Sequence, residues 1–276
     1  ALQGALKAAE VLDVDLSRST VAVIGATGSI GSVCSRFLAK RVPRLVLSAR
    51  SKSRLKVLAE TIQRESSTAL KVEMDLGRAL SEADIVITAT SSGGSIIQAE
   101  HLKTGAIVCD VAVPHDVCRE VAQLRPDVLV IEGGLVEVPG DVDFGLDFGY
   151  PPGLCLACMA ETMILTLEGR FENFSIGRGL DYDRVQEIER LAERNGFRLA
   201  GFRACSNPHS APLHRPRDIC GSRRAGHWRG RRNHQHHHRR DPTRTRDHGK
   251  EIAVGTGQER RADDVATGVP GLVRFF

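Results

Sequence analysis

Residues 19–32 read STVAVIGATGSIGS, and their order governs how the rest of the chain is read. Val21, Ala22, Val23 and Ile24 form an unbroken apolar run, the pattern of a strand buried on both faces. Gly25, Gly28 and Gly31 follow in a G-x-x-G-x-x-G array, and Ile30, Val33 and Phe37 then recur at helical spacing. A strand, a glycine turn and a helix in that order make a phosphate cradle. Glycine lets backbone N–H groups approach a pyrophosphate, and the helix N-terminus adds partial positive charge. Gly25, Thr27, Gly28, Ser29, Ile30 and Gly31 are the candidate pyrophosphate-binding set. The competing reading is a purely structural turn; the flanking strand and helix favour a dinucleotide.

The same alternation extends outward. Residues 2–12 have helical spacing, RLVLSAR (44–50) repeats the strand pattern, and KSRLKVLAETIQRE (52–65) is amphipathic. LKVEM (70–74), ADIVITAT (83–90), AIVCDVAV (106–113) and DVLVIEG (127–133) supply four more strands. Short apolar strands alternating with helices predict an α/β fold, a Rossmann-type doubly wound parallel sheet, over residues 1–150. After Pro151 the pattern turns helical. One helix is expected over 154–168 with Gly169 as its cap, and a second over about 183–195, striped by Val185, Ile188, Leu191 and Ala192. Asp183 with Gln186 would form its capping box, and Gly196 would end it. These elements define a helical section, 151–205.

The end of the second strand should choose the cofactor, because NAD-selective sites place a carboxylate there for the ribose 2′-hydroxyl. Here the text is LSARSKSR (47–54), which holds no carboxylate. Ser48, Arg50, Ser51, Lys52 and Arg54 instead suit a 2′-phosphate, with the Arg50 guanidinium the best fork for it, so NADP is the expected cofactor. The other reading is a basic, solvated loop. Thr88, Thr90, Ser91 and Ser92 close the fourth strand, where they are candidates for the nicotinamide-side ribose or form an ordinary Ser/Gly loop.

With 276 residues, 41% of them hydrophobic, the chain has material for one large or two modest domains. The longest strongly apolar stretch, 154–167, is broken by Glu161 and too short to span a bilayer, and no charged-then-apolar leader precedes it. The expectation is a cytoplasmic protein whose 7 cysteines are reduced thiols. Residues 206–276 hold 15 Lys and Arg against 7 Asp and Glu, which leaves 23 against 27 in the first 205 residues. This tail also holds 8 of the 10 histidines and has no apolar periodicity, so it is expected not to fold. Arg-, His- and Pro-rich text of this kind is what an out-of-frame reading of a GC-rich gene produces. Binding to nucleic-acid phosphate is the other role its charge suits, although no recognition module accompanies it.

LCLACMAETM (154–163) places Cys155 and Cys158 three apart, which in a helix puts both on one face near the N-terminus. That end of a helix lowers a thiol pKa. Four roles compete: a zinc half-site, which has no further ligand pair nearby; a redox dithiol; inert buried cysteine; and a catalytic thiolate. No metal site is expected.

CMAETMILTLEGRFENFSIGR (158–178), taken with 19–32, GGLVE (133–137) and RNGFRLA (194–200), resembles the cyanobacterial-type long-chain acyl-(acyl carrier protein) reductases. The resemblance runs from about residue 2 to 202. It implies an NADPH-dependent oxidoreductase that makes fatty aldehydes from an acyl carrier protein or coenzyme A thioester. Cys158 would carry the acyl group, and a preceding domain would contribute to acyl and carrier-protein binding. Cys155 is then a neighbour or packing residue, while Met159, Met163, Ile164 and Leu167 either line an acyl channel or pack the core. VAVPHD (111–116) departs from that family and looks like the Asp-x-Ala-Val-Pro-x-Asp loop of glutamyl-tRNA reductases. In that loop His115 is a candidate proton donor or a surface histidine. The alternative function is therefore a shikimate-dehydrogenase- or glutamyl-tRNA-reductase-like NADP domain acting on a small metabolite.

Overall fold

A computed structural model of the chain describes residues 1–202, apart from 119, 148, 178 and the side chain of Ala122. The basic tail, with its frame-shift and nucleic-acid readings, lies outside the described residues. Six strands form one parallel sheet: β1 (Thr20–Ile24), β2 (Arg44–Ser48), β3 (Ala69–Val72), β4 (Ile85–Thr88), β5 (Ile107–Asp110) and β6 (Leu129–Glu132). Their order is β3-β2-β1-β4-β5-β6, so the order in which the chain adds strands reverses between β1 and β4. A ligand in such a sheet binds beyond the carboxyl ends of the strands at that reversal.

Side chains alternate across the sheet, and both faces are covered. Val21, Val23, Leu45, Leu47, Ile85, Ile87, Ile107 and Ile131 face α1 (Leu2–Val11), α2 (Ser29–Ala39) and α3 (Lys52–Glu65). Ala22, Ile24, Val46, Val86, Val108 and Val130 face α4 (Leu76–Ser81), a 3-10 turn at Ala99–His101, and α5 (Val121–Leu124). Double coverage explains why these strands read as apolar runs and not as alternating ones. The expected doubly wound sheet is the one observed.

A second, antiparallel sheet was not anticipated from the sequence. β7 (Leu135–Glu137) pairs with β8 (Leu154–Leu156) and with β9 (Arg198–Leu199), each only two or three residues long. α6 (Ala157–Leu167) and α7 (Tyr182–Arg194) cover it. Cys155, Val138, Ala160, Ile164 and Phe197 form the core there, with Ile188, Leu191 and Ala192 of the expected stripe packed against them.

Local differences from the sequence reading follow from hydrogen bonds. Residues 154–156 pair with β7, so the first helix begins at Ala157 and not at Leu154. Asp181 caps α7 by accepting from Asp183 N at 2.9 Å, in place of the capping box of Asp183 and Gln186. Both helices stop where expected: Arg170 N donates to Leu165 O at 2.8 Å and Phe197 N to Ala192 O at 2.9 Å, the bonds that close a glycine-ended helix. No helix among the described residues is long and apolar enough to cross a membrane.

Asp84 ties three strands at their entry. Its Oδ2 accepts from Thr20 N at 2.9 Å, its Oδ1 lies 2.7 Å from Lys103 Nζ, and its carbonyl accepts from Ile107 N. Burial alone would raise its pKa, but the Lys103 ammonium and the Thr20 N–H outweigh burial and hold it below the usual carboxylate value. Stability from a depressed carboxylate is complete above its unfolded pKa and is lost as pH falls through the folded one. Asp84→Asn should therefore cost about 0.5–1 kcal/mol at pH 7, with the difference from wild type shrinking toward zero below the ordinary carboxylate range in urea titrations.

Candidate active site

The glycine turn is built by backbone contact. Gly25 N and Ala26 N donate to Ser48 O at 2.9 and 3.1 Å, and Gly28 N donates to Gly25 O at 2.9 Å. Gly25 holds φ +79°, where a side chain is strained, and a Cβ there would lie 2.5 Å from Ala89 O. A Cβ on Gly31 would lie 2.2 Å from Gly25 O. Gly28 is the N-cap of α2, with no side-chain cap bonded there. Helix, turn and the loop after β4 thus touch backbone to backbone, and α2 starts from the turn beside Thr27, Ser29 and the exposed Ile30. A pyrophosphate fits this cradle. Ser29 Oγ donates to Gly177 O at 3.1 Å, which brings the loop between α6 and α7 against the cradle.

At the end of β2, Ser48 is buried and Ser51 is the N-cap of α3, accepting from Arg54 N at 3.5 Å. Arg50, Lys52 and Arg54 are exposed around that N-terminus, and among the described residues none of the three pairs with a carboxylate. The expected set of Ser48, Arg50, Ser51 and Lys52 thus surrounds one helix end.

The loop after β4 is organised by a residue the sequence reading left unassigned. Asp116, 1% exposed, accepts from Thr88 Oγ1 at 2.5 Å, Thr90 N at 3.0 Å and Ser92 Oγ at 3.1 Å, and also from Thr90 Oγ1. Thr88 is fully buried, so its hydroxyl serves Asp116 and is not turned to a ribose. Thr90 is likewise bonded to Asp116, whereas Ser91 is exposed.

At the carboxyl end of the sheet Thr88, Asp110 and Glu132 are successive register partners on β4, β5 and β6. Asp110 accepts from Ala112 N at 3.0 Å and Val117 N at 2.9 Å, which folds the intervening loop back over the sheet. Burial pushes its pKa up, against the pull of those N–H groups and of His115. His115 Nδ1 lies 3.6 Å from Asp110 Oδ2 and its Nε2 lies 3.3 Å from Glu132 Oε1. Tyr150 Oη donates to that same Glu132 oxygen at 2.7 Å. Neither Glu132 nor Tyr150 was legible as a site residue, because nothing in their local sequence points to His115.

The two cysteines separate. Cys155 is not on a helix face beside Cys158: it lies in β8 opposite Val136, fully buried, and burial pushes its thiol up. Cys158 is the second residue of α6 and exposed. Ala157 N donates to Gly134 O at 2.7 Å, so the start of α6 is fastened two residues beyond Glu132. Cys34 and Cys109 are buried with thiols pushed up to about 11, and Cys118 is half-buried. Met159 and Met163 pack against the small core, Ile164 is inside it, and Leu167 is exposed. No group of three or more His, Cys, Asp or Glu among the described residues is placed to hold a metal.

Comparison with known proteins agrees with this geometry. The shikimate/quinate 5-dehydrogenase family model matches residues 6–132. The chain is 35% identical over 191 residues to aminotransferase PigE of a Serratia species, covering 67% of this chain and 22% of that protein. It is 33% identical over 198 residues to long-chain acyl-[acyl-carrier-protein] reductase of Synechococcus elongatus, covering 69% and 56%. It is 30% identical over 119 residues to glutamyl-tRNA reductase of Psychromonas ingrahamii, covering 40% and 27%. The chain thus spans between about a fifth and just over half the length of these relatives. The sheet with its glycine cradle is an NAD(P)-binding domain of the oxidoreductase kind, similar over residues 6–132 to the shikimate/quinate 5-dehydrogenases, and the cofactor class read from the sequence holds.

Because a Cβ on Gly31 has only backbone to displace, Gly31→Ala should weaken NADPH binding at least about tenfold and lower the melting temperature. Gly179→Ala, where nothing lies within 4 Å of the added carbon, should leave both unchanged. Fluorescence titration and a thermal melt check the pair.

Proposed function

We propose that this chain is the reductase part of an enzyme that converts a long-chain acyl thioester, carried by acyl carrier protein or coenzyme A, to a fatty aldehyde with NADPH through an acyl-enzyme on Cys158. The observation that carries the reading is the contrast among the thiols: of the five described cysteines Cys158 alone is exposed, and it sits in the first turn of a helix. The 33% identity to the Synechococcus reductase points to the same chemistry.

In this scheme the Cys158 thiolate attacks the thioester carbonyl, a new C–S bond forms, and the carrier leaves as a thiolate that takes up a proton. NADPH, when bound, supplies the hydride that reduces the acyl carbon. The hemithioacetal then collapses, its C–S bond breaks to release aldehyde, and the electron pair returns to Cys158. The cradle of Gly25, Thr27, Gly28, Ser29, Ile30 and Gly31 would hold the pyrophosphate, and Arg50, Ser51 and Lys52 would hold the 2′-phosphate. Ser91, exposed on the loop that Asp116 braces, would meet the nicotinamide-side ribose, with Thr90 holding that loop through Asp116. His115 is the proton donor to the substrate oxygen.

A second reading, reduction of a small metabolite by a shikimate-dehydrogenase- or glutamyl-tRNA-reductase-like domain, is favoured by the family match over 6–132 and by the DVAVPHD loop at 110–116. Mass spectrometry of the Cys158 peptide separates the two. With a palmitoyl thioester and no NADPH an adduct should accumulate on Cys158. Cys158→Ala should abolish it and Cys155→Ala should retain it; an unmodified Cys158 in a folded protein favours the second reading.

The cofactor assignment has its own test. Arg50→Ala should raise the Kd for NADPH about 10- to 100-fold, the worth of a lost charge-assisted pair, while leaving NADH binding unchanged.

A further inference from the structure

The carboxyl ends of β5 and β6 pose an electrostatic problem. Asp110 and Glu132 are register partners on adjacent parallel strands, and both are screened from water: Asp110 is fully buried and the Glu132 side chain is 6% exposed. Like charges placed side by side destabilise a sheet, and burial sharpens the repulsion. His115 answers it by lying across the pair, one ring nitrogen toward each carboxylate, with its side chain 28% exposed. Tyr150 adds a hydroxyl on the Glu132 oxygen that meets the ring.

The arrangement is placed for chemistry. It stands at the strand ends where the dinucleotide-binding fold takes its ligand, beside the loop that Asp116 braces. Glu132 is joined to Cys158 by a short path: two residues to Gly134, the 2.7 Å bond from Ala157 N, and one residue more.

We infer that Glu132 is a positioning residue for the reduction: with Asp110 behind the ring and Tyr150 bracing its own oxygen, it keeps the exchangeable proton on His115 Nε2 and aims that nitrogen at the substrate. The inference rests on the thioester-reducing reading and adds Glu132, Tyr150 and Asp110 to it. As the acyl carbon is reduced, the substrate oxygen replaces Glu132 as the partner of Nε2; the N–H bond breaks and an O–H bond forms. When the C–S bond to Cys158 breaks, that O–H proton returns to Nε2 and the carbonyl reforms, so proton and charge balance over the step.

Among the described residues the charged and titratable groups gathered about His115 include Asp110 from β5, Glu132 from β6, Tyr150 from the segment before β8, and Asp116 from its own loop. Two flanking carboxylates favour the imidazolium. Removing one should let the ring lose its proton at lower pH. The alkaline limb of the pH profile, set by loss of the acid, should move down with it.

The test uses the whole chain in three measurements. In single-turnover reduction of a pre-formed palmitoyl adduct on Cys158 by NADPH, Glu132→Gln should slow the step about tenfold or more and shift its alkaline limb down by about one pH unit. Adduct formation and NADPH binding should be unchanged, and Glu132→Asp should restore most of the rate. On a His115→Asn background Glu132→Gln should cost nothing further, because the two act as one unit. An unshifted limb in Glu132→Gln, or full additivity with His115→Asn, overturns the inference.

The NMR titration of His115 decides the matter independently of turnover. Its midpoint in the wild type should lie above the ordinary imidazole value of about 6.5 and fall on Glu132→Gln. A wild-type midpoint at or below that value overturns the inference even if the variant does not fold. Absence of a Cys158 adduct with the expected His115 midpoint shift counts against the thioester reading and leaves only the coupling of Glu132 to His115 standing.

Discussion

A Cβ on Gly31 would lie 2.2 Å from the carbonyl oxygen of Gly25, closer than atoms can approach, and the rest of the molecule depends on the contact that its absence permits. With no side chain there, α2 seats directly on the turn that ends β1, and its N-terminal N–H groups come to the edge of the sheet. The same turn presses Gly25 against Ala89 on the neighbouring strand's loop, so the point where the strand order reverses, between the parallel β1 and β4, is closed by backbone and not by side chains. Everything that follows at the carboxyl edge inherits this fixed origin. The row of Ser48, Ile24, Thr88, Asp110 and Glu132 is in register across five parallel strands, so each residue's height at the edge is set by its neighbours.

That edge divides into two electrostatic halves. On the β2 side lie Arg50, Lys52 and Arg54, exposed around the N-terminus of α3 and suited to an anion. On the β5 and β6 side lie Asp110, Glu132 and Asp116, buried and bonded to Thr, Ser and backbone donors or to His115. Positive charge thus gathers at the β2 end of the edge, and buried carboxylates with His115 between two of them at the β5 and β6 end. The second sheet separates the two thiols: β8 buries Cys155 and, one residue after the strand ends, α6 starts and exposes Cys158.

Much of this was legible from one dimension. The six parallel strands and the helices between them announced themselves because a strand covered on both faces must be apolar throughout, and because amphipathic helices repeat every three to four residues. The glycine array and the absence of a carboxylate after β2 were equally local. The small sheet escaped, since strands of two or three residues carry too little pattern to be told from loop or helix, and 154–156 was read as the first turn of α6. That error also paired the cysteines wrongly. By type Thr88 and Thr90 suit either a ribose or an ordinary loop; their hydroxyls serve Asp116, which lies 26 to 28 residues away in sequence.

The sequence by itself determined the doubly wound sheet, its dinucleotide cradle and the basic turn after β2, because each is encoded by residues within a few positions of one another. Only the tertiary structure decided which cysteine is exposed, what the loop hydroxyls bind, and that His115 spans Asp110 and Glu132 with Tyr150 behind. Those relations join residues from separate strands and loops, and parallel register alone brings them together. A chain read in order carries no trace of which strand ends stand side by side until the sheet is assembled.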